Sequence, residues 1–346
     1  MALTFRSEVR TIAFRDPFRI ARDPNAATAT TVLVELVDDA AAGLAGLGEG
    51  FPDAYYGETP ATMAAVLPLL LAAVGEPEWT LDGLAAAGAR MDEALGNNGA
   101  AKCALDVALH DLAAKRAGQP LHAFLGLSAA IPPTDFSLGI DAPDVVAERA
   151  RRAARFPALK VKVGGPSDLA TLEAVRAVYA GPIRVDANTA WTPEGALGFL
   201  PELERLGVEL VEQPFPARRY DDLRWLQDRS PLPIVADESA VGIDDLDALV
   251  GVVAGVNVKL AKCGGVGAAK RMLERARDLG FRTFLGCMEE TSVGIAASAA
   301  VASLADWVDL DGCLLLADDP FEGLVLDGEC RWRLSSEPGL GVRRRA

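Results

Sequence analysis

The chain has 346 residues, half of them apolar and 24% charged, with a formal net charge of -15. That length suits one large domain plus a smaller one, and the apolar share supplies a sizeable core. So large an acid excess argues against nucleic acid and anionic membrane surfaces as partners, although a local site can oppose the global field.

In chain order, the first segment alternates apolar and polar residues in "LTFRSEVRTIAF" and "TTVLVELVDD", the pattern of antiparallel strands in a meander. Between them "IARDPNAATAT", Ile20 to Thr30, reads as a loop. The start has no apolar h-region, so no signal peptide is expected. The apolar run Ala64 to Val74 is too short to span a bilayer and is expected as a buried helix despite Pro68. Helical patterning continues to about residue 118, where "KCALDVALHDLAAKRAG" ends at a glycine cap. Cys103, Cys263, Cys287, Cys313 and Cys330 are scattered, with no CxxC pair, which fits a reducing cytoplasm better than a disulfide framework. His110 and His122 are the only histidines, so a Ser-His-Asp triad or His-rich metal site would have to be built from these two, and neither is expected. A general base is expected from Lys, Asp or Glu.

From about Thr134 short β-rich runs recur roughly every 25 residues: "TDFSLGI", "LKVKV", "IRVDAN", "VELVEQP", "PIVADES", "VNVKLAK", "RTFLGC" and "WVDLDG". Helical segments separate them. Eight such units predict a parallel β/α barrel. An open doubly wound sheet is the alternative, weakened by the lack of a Gly-rich phosphate fingerprint after the first strand. The last segment, "FEGLVLDGECRWRL", returns to short strands and is expected to pack back on the N-terminal region.

A barrel's chemistry sits where its strands end. Lys160 and Lys162 lie two apart on the second strand and so share a face. Asp186, Glu212 and Asp237 end the next three strands, and Lys259 follows on the sixth. Three hard oxygen donors without imidazole or thiolate suit Mg²⁺; the bland alternative is three carboxylates capping the following helices. Lysines flanking the acids from opposite arcs can serve as bases, since a neighbouring ammonium or divalent cation disfavours their charged form. The alternative is plain ion pairing. Lys262, three residues beyond Lys259, is expected to point away from the base position. On the eighth strand Asp309 and Asp311 share a face, and two carboxylates in a barrel mouth need a cationic partner.

These residues resemble the enolase superfamily in its muconate-lactonising-enzyme subgroup, over nearly the whole chain: "YGET" at Tyr56 to Thr59, the KxK pair, "DAN", "EQP", "ADES" and "NVKLAKCGG". The resemblance implies a modified (β/α)8, or (β/α)7β, TIM-like barrel over residues 123–315. An α+β capping domain would occupy 1–122, completed by a C-terminal segment at 316–346. In this superfamily a lysine or histidine base works with Mg²⁺ on an ene-diolate. One Mg²⁺ per subunit on Asp186, Glu212 and Asp237 is implied, with Lys162 and Lys259 as bases on opposite faces. Lys160 would hold the substrate carboxylate and tune Lys162, and Asn188 and Glu238 would support the ligands.

The "DLDG" stretch is similar to the DxD motif of dipeptide epimerases, in which the pair binds the substrate's ammonium. In the same group Ser137, Cys287 and Glu289 would line the site, and an arginine of the first loop, Arg22 before Arg19, would meet a glutamate side chain. Asp23 and Glu289 depart from that picture and could favour neutral or cationic side chains. The expected activity is therefore Mg²⁺-dependent epimerisation of a dipeptide, with L-Ala-D/L-Glu first, in peptidoglycan peptide metabolism. An o-succinylbenzoate synthase or muconate cycloisomerase is the alternative within the subgroup, and a non-catalytic barrel binding protein the alternative outside it. A homo-oligomer is an expectation from fold analogy alone.

Overall fold

The structure, a computed structural model, describes residues 3–23, 27–38 and 44–345. Part of the loop expected at Ile20 to Thr30, residues 24–26, lies outside the described residues. Strands β1 (Leu3–Ala13) and β2 (Thr28–Asp38) pair antiparallel through their full length, and β3 (Ala45–Gly50) completes the sheet on the other edge of β2.

The sequence pattern did not predict β3, because "AGLGEG" has low strand propensity. Packing accounts for it. Helix α1 (Pro60–Val74) and α2 (Leu81–Ala94) precede α3 (Gly99–Arg116), which is buried from Ala100 to Ala114. Gly46, Gly48 and Gly50, all on one face of β3, lie directly on α3. A Cβ at Gly48 would stand 1.9 Å from the Ala104 carbonyl, and one at Gly46 or Gly50 would stand 2.1 Å from the Ala108 or Ala100 carbonyl. A strand stripped of side chains at every second residue thus meets an alanine ridge spaced by four.

Helix α1 departs from expectation. Only Met63, Leu67, Leu70 and Val74 face inward, and Leu69 is 61% exposed, so it is a surface helix with one buried stripe. Its apolar composition is uniform, but packing reaches only one side.

After the short α4 (Leu121–Phe124) the strand–helix alternation begins. In order it comprises β4 (Phe136–Leu138), α5 (Pro143–Arg152), β5 (Leu159–Lys162), α6 (Asp168–Arg176), β6 (Ile183–Asp186), α7 (Pro193–Arg205) and β7 (Val208–Glu212). There follow α8 (Tyr220–Gln227), β8 (Ile234–Ala236), α9 (Leu246–Leu249), β9 (Gly255–Val258), α10 (Leu260–Cys263), α11 (Val266–Asp278), β10 (Arg282–Gly286), α12 (Ser292–Ala299), β11 (Trp307–Asp309) and α13 (Gly312–Leu315). Strands β4 to β11 form one parallel sheet in sequence order. A parallel bridge between Thr134 and Val308 joins its two edges, and Asp135 N–H donates to the Val308 carbonyl at 3.0 Å. The sheet is therefore a barrel and not an open doubly wound sheet. Leu210, Val235, Phe284 and Trp307 plug its interior below the strand ends.

The last strand is followed by only one turn of helix. The chain then leaves to pair β12 (Phe321–Glu322) with β15 (Arg343–Arg344) and β13 (Val325–Leu326) with β14 (Trp332–Arg333). This segment touches both halves. Ala317 N–H donates to Ala13 O at 2.7 Å, Leu340 N–H to Asp111 at 2.7 Å, and the Trp332 indole to Leu310 O at 2.8 Å. The seam between cap and barrel is tied by Glu49 at the end of β3. Its carboxylate accepts from Thr291 N–H at 2.9 Å, Thr291 Oγ1 at 2.5 Å and Gly294 N–H at 2.9 Å, so one domain caps a helix of the other. No helix among the described residues is long and apolar enough to cross a membrane.

Candidate active site

Strand register builds the site. Lys162 is paired with Asp186, and Asp186 with Glu212, so three charged residues stand side by side on adjacent strands at one height. Asp237 follows just past the end of β8. Lys160, two residues below Lys162, lies one layer deeper and is paired in register with Ser137. Strands β5 and β9 are four apart in an eight-stranded barrel, so Lys162 and Lys259 approach the acids from opposite sides.

Candidate oxygens of Asp186, Glu212 and Asp237 lie within 4.8 Å of one another, and all three residues are buried. None of the three caps a helix. Asp186 accepts instead from Asn188 N–H at 2.9 Å in the turn after its strand. Lys162 donates to Asp186 at 2.6 Å, and Lys259 Nζ lies 3.0 Å from Asp237. Burial alone would raise all three acids. The lysines outweigh it at Asp186 and hold Asp237 well below the usual carboxylate range, while burial and the neighbouring Asp186 push Glu212 up to about 7. Glu212 Oε2 sits 2.8 Å from Lys160 Nζ but off its hydrogen-bonding directions, and Glu238 Oε2 likewise has no hydrogen-bond partner. Buried carboxyl oxygens without a hydrogen bond, in an all-oxygen donor set, fit a hard divalent cation such as Mg²⁺.

The protein's own charges bear on the lysines in two ways. Burial disfavours the ammonium of Lys259, but Asp237, Glu212 and Asp186 outweigh it and raise Lys259 above its ordinary value. The same balance raises Lys160, so neither is held neutral by the protein's own charges. Lys262, expected to point away from the base position, lies on the other oxygen of Asp237 from Lys259. It lies one helical turn past Lys259, on α10, and donates to Asp237 Oδ1 at 2.5 Å and to three backbone carbonyls, including Asp237 O at 2.6 Å. Asp237 is therefore gripped by a lysine on each oxygen.

Lys160 sits on the floor of the site, 2.8 Å from both Glu212 and Asp309 and 3.4 Å from Asp186. It shares Asp186 Oδ2 with Lys162, and that carboxylate couples the two lysines. Asp309 also accepts from Ser137 Oγ at 3.2 Å, and Asp311 accepts from Ser137 N–H at 2.6 Å, so Ser137 brackets the pair. Asp311 occupies the N-cap position of α13 without making a capping bond. Burial and the charge of Asp309 push Asp311 well up, whereas Lys160 outweighs burial at Asp309 and holds it down. Cys287 lies behind this pair, its thiol raised by burial and by both aspartates.

In the first loop both arginines have acidic partners. Arg22 bonds to Glu238, lies 3.9 Å from Asp53 and stacks 4.4 Å over the Tyr55 ring. Arg19 pairs with Asp141 at 2.9 Å, away from the acids. Glu289 lines a cavity between the first loop and the residues around Tyr55; burial raises its carboxyl while Lys162 and Lys259 work the other way. Asn188 reaches Asp186 at 3.3 Å and Glu238 at 3.4 Å.

Two supporting residues escaped sequence reasoning. Asn257 donates to Glu212 at 2.8 Å; its place two before Lys259 put it on the same face and was the available signal. Gln213 accepts from Asp237 N–H at 2.9 Å and from Ser239 N–H at 3.1 Å, locking β7 to the turn after β8. Gly286 leaves room for both Asn257 and Lys259, since a Cβ there would stand 2.7 Å from the Asn257 amide oxygen and 3.0 Å from Lys259 Cε.

With this geometry in place, comparison with known proteins is informative. Residues 3–126 match the mandelate racemase / muconate lactonizing enzyme N-terminal domain, and residues 145–345 match the family described as enolase C-terminal domain-like. The chain is 38% identical over 307 residues to the L-Ala-D/L-Glu epimerase of Bacteroides thetaiotaomicron, spanning 87% of this chain and 79% of that one. Among solved structures, the dipeptide epimerase of Enterococcus faecalis with Mg and L-Leu-L-Tyr superposes with a TM-score of 0.90 at 32% identity, covering 99% of each chain. That of Methylococcus capsulatus with Mg and L-Arg-D-Lys gives 0.87 at 32%, again covering 99% of each. The three relatives handle acidic, apolar and cationic dipeptides respectively, so likeness alone does not fix the side chain.

Proposed function

The chain belongs to the mandelate racemase / muconate lactonizing enzyme group of the enolase superfamily, and on that premise we propose that it is a Mg²⁺-dependent dipeptide epimerase acting at the α-carbon of the C-terminal residue. The observation that carries this is the opposed pair of lysines about one acid triad, Lys162 at 2.6 Å from Asp186 and Lys259 at 3.0 Å from Asp237. Asp186, Glu212 and Asp237 would hold the cation, with the substrate carboxylate beside it. When bound there, Mg²⁺ supplies positive charge that offsets the second negative charge of the ene-diolate and, by engaging the same carboxylates, loosens their hold on the lysines.

One lysine, neutral at the start of the cycle, takes the α-proton from one face. The other, entering as an ammonium, returns a proton to the opposite face, so configuration inverts with no net gain or loss of protons. Lys160 adds a fixed positive charge beneath the substrate carboxylate and, through the shared Asp186, links its charge to that of Lys162. Asp309 and Asp311, steadied by Ser137, would receive the N-terminal ammonium. A cation arriving there lets both carboxyls ionise, which their mutual repulsion otherwise opposes. The free state of every cysteine supports a cytoplasmic setting.

The test is deuterium exchange. Protein with Mg²⁺ in D₂O should incorporate solvent deuterium at the α-carbon of the C-terminal residue and interconvert stereoisomers for at least one member of an L-Ala-X series. No exchange with any member would sink the proposal. Asp311→Ala should lower kcat/KM by about 100-fold, as expected when a buried charge loses its partner. Unchanged turnover of a substrate without an ammonium would point to the cycloisomerase or synthase alternative instead.

A further inference from the structure

Between the first loop and the barrel mouth lies a cavity of about 620 Å³, large enough for a substrate side chain. Phe14, Phe18, Ile20, Phe51 and Tyr55 give it apolar and aromatic wall, and its charged lining is acidic apart from Arg22: Glu289, Asp23 and Asp53. The cavity adjoins the reacting centre, since Arg22 on its wall bonds Glu238, the residue next to Asp237. Charge decides what it accepts. The one arginine on the wall, Arg22, is already committed: Glu238, buried beside Asp237, takes its guanidinium, Asp53 lies 3.9 Å away, and one face is stacked on Tyr55. Lys162 and Lys259 are likewise engaged by Asp186 and Asp237. Glu289 lies on the strand–helix turn after β10, and no arginine or lysine among the described residues lies within ion-pair reach of it. The cavity therefore carries an acidic lining in which Glu289 has no ion-pair partner among the described residues.

We propose that this cavity selects a dipeptide whose C-terminal residue has a long aliphatic side chain ending in a cation, lysine or arginine, with Glu289 as the residue that sets the preference. The inference rests on the epimerase assignment above. A methylene chain suits the apolar walls, and its ammonium or guanidinium supplies the charge that Glu289 lacks. A glutamate side chain would instead bring a further carboxylate into a partly buried space lined by Glu289, Asp23 and Asp53, whose only arginine is already bound to another acid, and like charges there repel strongly. This ranks L-Ala-L-Glu, the dipeptide first suggested by family resemblance, last of the three side-chain classes.

The experiment compares kcat/KM for α-proton exchange of L-Ala-L-Lys, L-Ala-L-Arg, L-Ala-L-Leu and L-Ala-L-Glu with the Mg²⁺-loaded protein. The lysine or arginine peptide should exceed the leucine peptide by about tenfold and the glutamate peptide by about 100-fold, since one favourable or unfavourable charge contact in a partly buried site is worth an order of magnitude or more. Glu289→Gln should reduce the Lys-to-Leu selectivity ratio about tenfold, and Glu289→Asp should keep most of it, which separates a charge effect from misfolding. A preference for glutamate or leucine in the unaltered protein overturns the inference while leaving the epimerase assignment standing. So does a Lys-to-Leu ratio that Glu289→Gln leaves unchanged. Exchange with none of the four, nor with the wider series, overturns both.

Discussion

The barrel and the capping domain solve opposite problems with opposite residues. At the barrel mouth, charged groups are crowded at near-contact distances: Lys160, Lys162, Lys259 and Lys262 interleave with Asp186, Glu212, Asp237 and Asp309. Strand register holds them, and Lys160 alone reaches acids on three strands, while Lys162, Lys259 and Lys262 each pair with one. In the cap the decisive residues have almost no side chains. Gly46, Gly48 and Gly50 let β3 lie on the alanine ridge of α3, and the charges there, Asp111 and Lys115, only pin the strand backbone at Leu47 and Ala45. The lesson is a division of labour. Chemistry is placed where backbone geometry is most rigid, at parallel strand ends. The cap is built by close backbone approach and contributes walls and loops to the substrate cavity.

That contrast can be broken from three sides. The largest effect should come from the barrel. Lys162→Ala and Lys259→Ala should each lower epimerisation by at least about 1,000-fold, the scale of a lost general base, with little change in melting temperature. Each variant should retain α-proton exchange with a different stereoisomer, measured by NMR in D₂O from separate L,L and L,D peptides. Equal loss of all exchange in both would argue against one base per face. In the cap the expectation reverses. Gly48→Ala forces a methyl into contact with the Ala104 carbonyl and should cost about 3 kcal/mol, read as a lowered urea midpoint, while the folded fraction keeps its kcat. Loss of kcat at full folding would show that the cap does more than pack.

The seam between the halves gives the smallest effect. Glu290 is pushed up to about 8 by burial and by Glu49. It is then protonated in the folded protein where the unfolded chain has already ionised. Its contribution to stability is complete below about pH 4.5, the unfolded value, and is lost as pH rises towards about 8. Melting temperature should therefore decline between pH 5 and 8, and Glu290→Gln should flatten that decline. An unaltered slope in the variant would assign it to other groups.

Much of the site was legible in the sequence, for a definite reason. A parallel barrel repeats at a nearly constant interval, and a two-residue period along each strand says which residues share a face. Lys160 with Lys162, and Asp309 with Asp311, could be paired by that rule alone, and Asn257 with Lys259 obeyed it unnoticed. The glycine-rich β3 was hidden because its stability comes from α3, far along the chain, and not from its own propensity. Helix α1 misled for the converse reason, since apolar composition does not say which face meets a partner.

The sequence by itself settled the architecture, the acid triad and the opposed lysines, because strand period and strand order are local properties that survive without coordinates. Only the tertiary structure decided how those charges are shared. Lys262 reaches Asp237 from α10, Lys160 drops to the floor between Glu212 and Asp309, and Arg22 is spent on Glu238, leaving Glu289 without an ion-pair partner among the described residues. Electrostatic partnership depends on distances of a few ångströms between residues far apart in the chain, and no spacing rule along one strand can supply those distances.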